Sequence, residues 1–210
     1  HDGETSADLV SQLVTTAQSV PGPVGAVFPA RRFPNRDNAV GGAASSDRVD
    51  LFWWRKRTQS TDVVETSWSS SNGALYSLSA IRAGLLPFDE FWMGWEDLAY
   101  GWLLHDAGYK QYTTHEITLD DNYEYRRVGP PRLELFIADK AAWYEYYYSR
   151  NLLLTAQRLG RPIRSVLPRL VSEALLIALL RDRKPARFLN YLGGLVDFKR
   201  GVTGQKENLR

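Results

Sequence analysis

Two adjacent acids in an aromatic stretch are the residues of this chain best suited to chemistry. Glu96 and Asp97 stand at the predicted start of a helix over residues 96–107, which Gly108 ends. Consecutive helical residues point about 100° apart, so the two carboxylates are not expected to converge on one atom as a retaining glycosidase requires. Either acid can act as a general base on a hydroxyl, or both can simply favour the positive end of the helix dipole.

Aromatic side chains border the two acids, in a cluster of Phe88, Phe91, Trp92 and Trp95. The apolar faces of pyranose rings stack on aromatic rings, while sugar hydroxyls bind carboxylates. We therefore expect this first cluster to bind sugar. A second aromatic cluster is interpreted mostly as core packing, and it comprises Tyr123, Tyr125, Trp143, Tyr144, Tyr146, Tyr147 and Tyr148.

The segment 94–109, with its Glu-Asp pair and a helix that ends in Gly108-Tyr109, resembles the acidic signature of family 2 glycosyltransferases of the GT-A type. Residues 71–76, Ser-Asn-Gly-Ala-Leu-Tyr, are similar to the small-residue stretch that lines the family's sugar pocket. The resemblance covers most of the chain and is nearest to bacterial rhamnosyl- and galactofuranosyltransferases of polysaccharide biosynthesis. It implies an enzyme that moves a sugar, with inversion, from a nucleotide-diphosphate donor to a glycan or lipid-linked acceptor.

The resemblance also implies roles for individual residues. Asp97 corresponds to the family's catalytic base, which removes the proton of the acceptor hydroxyl as the new bond forms. The residues expected to contact acceptor or donor are Glu96, Trp95, Trp92, Asn72 and Gly73. The alternative for the two acids is that they only stabilise the start of the helix.

A divalent metal, Mn or Mg, is a further implication of the resemblance, because the family holds one with an Asp-x-Asp motif. The opening His1-Asp2-Gly3-Glu4 is similar to the end of that motif, which makes Asp2 a metal ligand. Asp120 and Asp121 occupy the region where family members often supply a third ligand, commonly a His. Such a hard cation offsets the growing charge of the diphosphate leaving group. Alternatively, Asp2 is a disordered terminal residue.

The order of predicted elements indicates the α/β class, and the resemblance implies a GT-A-like mixed sheet flanked by helices. Helices are expected over residues 6–17, 96–107, 143–159 and 163–180, and strands over 24–28, 49–54, 109–113 and 116–119. The sequence has no phosphate-binding glycine motif. Since the family places a nucleotide-binding half before its Asp-x-Asp motif, we expect a C-terminal portion of such an enzyme, or a chain completed by another polypeptide.

Charge divides the chain into two predicted parts. Residues 1–149 hold 13 Lys and Arg against 20 Asp and Glu, whereas residues 150–210 hold 13 against four. We expect 1–149 to be the metal and acceptor-side part of a catalytic domain, and 150–210 to be a basic helical C-terminal extension. The apolar faces and arginines of the extension predict docking on an anionic membrane surface. Alternatively, the extension simply neutralises an acidic body.

Other features narrow the function classes. The sequence has no cysteine, which suits the cytoplasm, and its longest apolar run is too short to span a bilayer. We therefore expect a peripheral protein on the inner face of the cell membrane. The basic extension lacks interleaved aromatic residues, so nucleic acid is not expected as a partner. The competing hypothesis is a catalytically silent carbohydrate-binding or scaffolding fragment that needs another polypeptide for activity.

Overall fold

The computed structural model describes residues 3–4, 7–33, 63–121, 125–128, 135–138, 140–207 and 209. Two compact units make up the chain. Of the described residues, the first unit holds those up to Leu86 and those from Gly101 to Ala138. The second unit holds Pro87–Tyr100 and the residues from Lys140 onward. Each unit has its own set of packed elements.

A mixed sheet forms the centre of the first unit. Its described strands are β1 (Gly3–Glu4), β2 (Val24–Arg32), β3 (Val63–Thr66), β4 (Leu75–Tyr76) and β5 (Lys110–Asp121). One edge of β5 pairs in parallel with β2, and the other pairs antiparallel with β3 and then with β1. Strand β2 in turn pairs antiparallel with β4. Six consecutive residues of β2 are buried, as is typical of an inner parallel strand that is covered on both faces.

Strand β5 is continuous where the sequence predicts two short strands. Its pairing with β2 shifts register at two places, and the larger shift lies where Pro29 is opposite Thr114 and Ala30 is opposite Thr118. The intervening residues of β5 form a bulge, which adds residues to one strand without ending it. The gap predicted between the two strands, from residue 113 to residue 116, therefore coincides with this bulge.

Helices and a hairpin complete the described part of the first unit. Helix α1 (Leu9–Ser19) packs Leu9 and Leu13 against Val27 and Ile117 of the sheet. The short helix α2 follows at Leu78–Arg82, and β6 (Tyr125–Val128) pairs with β7 (Leu135–Ala138) in a separate hairpin. Helix α3 (Glu96–Asp106) begins in the second unit, and its residues from Gly101 onward belong to the first.

The second unit is helical in its described residues. A 3-10 helix at Asp89–Phe91 precedes α3, and the remaining helices are α4 (Tyr144–Arg158), α5 (Leu167–Leu179) and α6 (Lys184–Lys199). Helix α4 is buried from Glu145 to Ala156. It approaches α6 so closely that a Cβ on Gly194 would collide with the Ser149 side chain. Glycine at position 194 is therefore what lets the two helices meet.

The α/β class is confirmed, with a mixed sheet and flanking helices. The helices expected over residues 96–107 and 143–159 correspond to α3 and α4. The predicted helix 163–180 is instead a 3-10 helix at Ile163–Ser165 followed by α5. Pro168 lies in the first turn of α5, where its missing N–H costs nothing. The predicted strand 49–54 lies outside the described residues, and α6 was not predicted.

The predicted domain boundary between residues 149 and 150 falls inside α4. The compact units divide the chain elsewhere. Helix α4 packs against α6 and contacts the segment before α3, so all three belong to the second unit. Within the described ranges, no helix has the length and apolar character that crossing a membrane requires.

Candidate functional site in the second unit

The loop that joins the 3-10 helix to α3 has an unusual backbone. Trp92 has φ 60° and ψ −56°, and the Met93 N–H donates to the Phe91 carbonyl at 2.7 Å. Trp92 is therefore the central residue of the rare, strained form of γ-turn. Trp95 also has a positive φ of 68°. Each such conformation costs on the order of 1–3 kcal/mol and persists only where the surroundings enforce it.

One buried side chain of α4 holds this loop, which we call the 92–95 loop. The Asn151 Nδ2 lies 2.9 Å from the Phe91 carbonyl oxygen, 2.6 Å from that of Met93 and 3.0 Å from that of Gly94. Since an amide carries two N–H groups, the three acceptors share them. Arg150 adds a longer bond from its Nη2 to the Phe91 oxygen at 3.3 Å. Helix α4 thus enforces the loop conformation.

The two acids follow directly in the first turn of α3. Glu96 and Asp97 are both half-buried. The Glu96 Oε2 is buried, and no group of the described residues hydrogen-bonds it. Burial, and next the neighbouring charge of Asp97, raise the pKa of the Glu96 carboxyl above its ordinary value. The two half-buried carboxyls thus stand at the end of a strained loop, a location typical of functional sites.

Tyr144, in the first turn of α4, faces the same acids. Burial, and then the charges of Glu96 and Asp97, raise the pKa of its phenol far above the ordinary value. The phenol therefore stays protonated and can donate a hydrogen bond. The Lys140 Nζ lies 3.6 Å from the centre of the Tyr144 ring, and its positive charge partly opposes the rise in the pKa of Glu96. The site thus combines two carboxyls, a phenol and an ammonium group.

Aromatic rings surround these groups. Trp92 is 45% exposed and packs on Tyr147, with ring centres 4.9 Å apart. Trp95 meets Tyr148 edge to face at 5.0 Å, and the Arg169 guanidinium lies 5.9 Å from both of those ring centres. The members of the second aromatic cluster that lie on α4 therefore pack directly against these tryptophans, whereas Tyr123 and the side chain of Tyr125 lie outside the described part of the chain. The α4 rings support the tryptophans that the sequence assigns to sugar.

Asn72 and Gly73 lie in the first unit, between the described strands β3 and β4. The Ala74 N–H donates to the Ser71 carbonyl at 3.1 Å, which closes a turn around them. Gly73 has φ +69°, a conformation that glycine adopts without strain. The requirements of the turn thus account for Gly73, whether or not the exposed Asn72 touches a sugar.

The candidate metal ligands also belong to the first unit. Asp2 lies outside the described residues, but Gly3 pairs with Asp121 and Glu4 with Asp120. The segment that follows Asp2 therefore runs beside the two acids at the end of β5. Asp120 faces solvent and lies 3.5 Å from Arg32. No three potential ligands of the His, Cys, Asp or Glu type cluster within the described part of the chain.

Sequence reasoning did not assign five residues to this site: Lys140, Tyr144, Arg150, Asn151 and Arg169. Arg150 was predicted to border an apolar membrane face, and this prediction is wrong. The side chain is fully buried, with its guanidinium about 5 Å from the rings of Tyr146 and Tyr147. The available signal was the polar pair Arg150-Asn151 just before the apolar run 152–154. Such a pair inside a buried helix must have internal partners.

Comparison of the chain with known protein families, with curated proteins and with solved structures yields no match. The resemblance to family 2 glycosyltransferases therefore stays a prediction from motif residues. The geometry described for the second unit does not depend on that resemblance.

Proposed function

We propose that this chain carries the acceptor side of an inverting glycosyltransferase that uses a nucleotide-diphosphate sugar and a glycan or lipid-linked acceptor. The observation that supports this most is the pairing of acids with rings in the second unit. Glu96 and Asp97 follow a strained loop whose Trp92 presents an aromatic face to solvent. Rings bind the apolar face of a sugar, and carboxylates bind its hydroxyls.

In the proposed reaction, Asp97 is the general base. Its carboxylate takes the proton of an acceptor hydroxyl while that oxygen bonds the anomeric carbon and the bond to the diphosphate breaks. Glu96 holds a neighbouring hydroxyl, and the protonated Tyr144 phenol donates a hydrogen bond nearby. Attack by the acceptor oxygen on the face opposite the departing diphosphate inverts the anomeric carbon in a single step.

A divalent cation, Mn or Mg, belongs to the proposal through Asp2, with Asp120 or Asp121 beside it. The register of β1 on β5 supports this set, since it places the segment after Asp2 next to both acids. Carboxylate oxygens are the ligands that such hard cations prefer. The bound cation would supply charge neutralisation at the diphosphate.

Sugar transfer by wild type, Asp97→Asn and Asp106→Asn is the test, measured with the full-length natural polypeptide. Asp106 is an exposed acid at the other end of α3 and serves as the matched control. We expect Asp97→Asn to lose roughly 10²- to 10⁴-fold in turnover because the amide keeps the shape without the basicity. Donor binding and the control should be nearly unchanged. Near-normal turnover of Asp97→Asn would show that the acid only stabilises the helix.

The second candidate function is carbohydrate binding without turnover, which the exposed ring of Trp92 favours. Under this alternative, glycan binding is measurable and is lost in Trp92→Ala, while no nucleotide sugar is consumed by wild type. Leu78→Ala, an exposed apolar position on α2, is the control. Wild-type turnover that requires Asp97 excludes this second candidate.

A further inference from the structure

Helix α5 exposes an apolar stripe on its outer side. Leu167, Val171, Leu175 and Leu179 follow one another at helical spacing and are 48–70% exposed, whereas Glu173 on the opposite side is 1% exposed. A surface helix of a globular protein normally turns its apolar stripe to the core and its charges to water. Helix α5 instead buries its one acid, Glu173, together with Leu170 and Ile177, and leaves a continuous apolar stripe on the protein surface.

Helix α6 repeats this reversal. Leu189, Leu192 and Val196 are exposed, with Leu189 at 73%, while Arg187 and Asp197 are buried. Exposed large apolar side chains are ordinary when they are scattered, but contiguous ones mark a surface that binds something. The two helices are neighbours in the second unit, so the stripes belong to one helical layer. We call these seven exposed positions the α5–α6 face.

Buried ion pairs keep the polar sides of both helices inward. Arg181 donates to Glu173 at 2.9 Å, and Arg187 donates to Glu145 of α4 at 2.8 Å. Breaking such a pair would strand a buried charge, which opposes any rotation of the helices that would hide their leucines. The outward apolar face is therefore a fixed feature of this fold.

A groove extends the α5–α6 face into the unit. It has a volume of about 350 Å³ and an apolar floor that includes Leu153, Leu170 and Tyr191, with Leu167 and Leu175 at its rim. Apolar chains of a ligand can therefore insert into this groove, past the exposed side chains of the α5–α6 face.

The charges around the face have one sign. The exposed basic residues of α5, α6 and their flanking turns are Arg164, Arg183, Lys184, Lys199 and Arg200. In the described residues 161–200, the exposed acid is Asp182, and Arg187 pairs with it at 2.7 Å. An apolar face with a basic border matches an anionic bilayer, where acyl chains lie beneath negative headgroups. A second copy of the chain would bring one basic border against another.

We infer that the α5–α6 face docks on the surface of an anionic lipid bilayer, without crossing it. This sharpens the docking predicted for residues 150–210, because Leu152, Leu153, Leu154, Leu170 and Ile177 are buried and contribute nothing to the face. Docking uses the seven apolar positions and the basic border. It does not depend on the proposed sugar transfer.

Flotation of the whole chain with vesicles tests the inference, using phosphatidylcholine vesicles with and without phosphatidylglycerol. The face variant is Leu175→Asp combined with Leu189→Asp, two exposed positions whose change leaves the core intact. Leu78→Asp is the control, because Leu78 is 63% exposed on α2 in the other unit. Arg183→Gln with Lys184→Gln is a separate test of the border. Circular dichroism establishes that each variant is folded.

We expect wild type and Leu78→Asp to bind anionic vesicles, and the face variant to bind at least about tenfold more weakly. The border variant should lose roughly fivefold for each charge removed and should respond less to added salt. Equal binding to neutral vesicles, no binding by wild type, or an equal loss in Leu78→Asp overturns the inference. Self-association of wild type that is lost in the face variant, without vesicle binding, assigns the face to a second copy instead.

Discussion

Asn151→Ala removes the side chain that holds the 92–95 loop, and we expect it to weaken both stability and sugar binding. The amide supplies two N–H groups to the carbonyl oxygens of Phe91, Met93 and Gly94. In the variant, Phe91 keeps the bonds from Met93 and Arg150. Met93 and Gly94 are thus the acceptors that lose their Asn151 donor.

The size of the effect follows from these two acceptors. Leaving a buried acceptor without its donor costs about 1–3 kcal/mol, so the pair accounts for about 2–6 kcal/mol if nothing moves. Relaxation of the strained residue Trp92, which directly precedes the released Met93 carbonyl, returns on the order of 1–3 kcal/mol. We therefore expect a net loss of about 2 kcal/mol in the free energy of unfolding, together with a loop that has left its native conformation.

Urea denaturation followed by tryptophan fluorescence measures the first effect, and amide hydrogen exchange at residues 93–96 measures the second. Thr155→Val is the matched control, since Thr155 lies one turn further along α4, is equally buried, and donates one local bond to the Asn151 carbonyl. It should lose about 1 kcal/mol or less and leave the loop protected. Equal stability losses in the two variants, with unchanged exchange in both, would refute the reasoning.

Two further predictions concern the acids. Asp2→Ala should weaken the Mn- or Mg-dependent part of nucleotide-sugar binding, and alanine at Asp120 or Asp121 should weaken it less. Calorimetric titration with and without metal measures this, and equal affinity for wild type and Asp2→Ala contradicts it. Because the pKa of Glu96 is raised in the folded protein, its ionisation costs stability as pH rises above 4.5. Glu96→Gln should therefore gain stability over wild type at about pH 7 and gain little at about pH 4, as urea midpoints will show.

The sequence predicted the elements whose signals are local. Glu96 and Asp97 in the first turn and Gly108 after the last residue define α3 by capping chemistry alone, and its observed bounds are Glu96–Asp106. The acids and tryptophans assigned to the candidate site also lie together in the second unit, because they are close in sequence. Local patterns suffice for both.

The parts that escaped prediction depend on contacts between distant residues. Nothing in the spacing of Asn151 shows that three carbonyls some sixty residues earlier will face it. The orientation of α5 could not be predicted for a different reason. Helical periodicity shows that Leu167, Val171 and Leu175 share a side, but the same pattern results whichever side faces the core. Only the pairing of Glu173 with Arg181 reveals that the charged side is the inner one.

Helix α5 connects the two proposals. On its inner side, the Arg169 guanidinium lies 5.9 Å from the ring centres of Trp95 and Tyr148, and Trp95 precedes the candidate base by two residues. On its outer side, Val171 and Leu175 belong to the α5–α6 face. A helix with its side chains is about 10 Å across. A bilayer on the outer side would therefore lie within about one helix diameter of the Tyr148 ring, which supports Trp95 of the 92–95 loop. A sugar carried on a lipid therefore needs to rise only a short way from the headgroups to reach the acids. The inverted orientation of α5 favours that geometry, because its outer side can dock without disturbing Arg169.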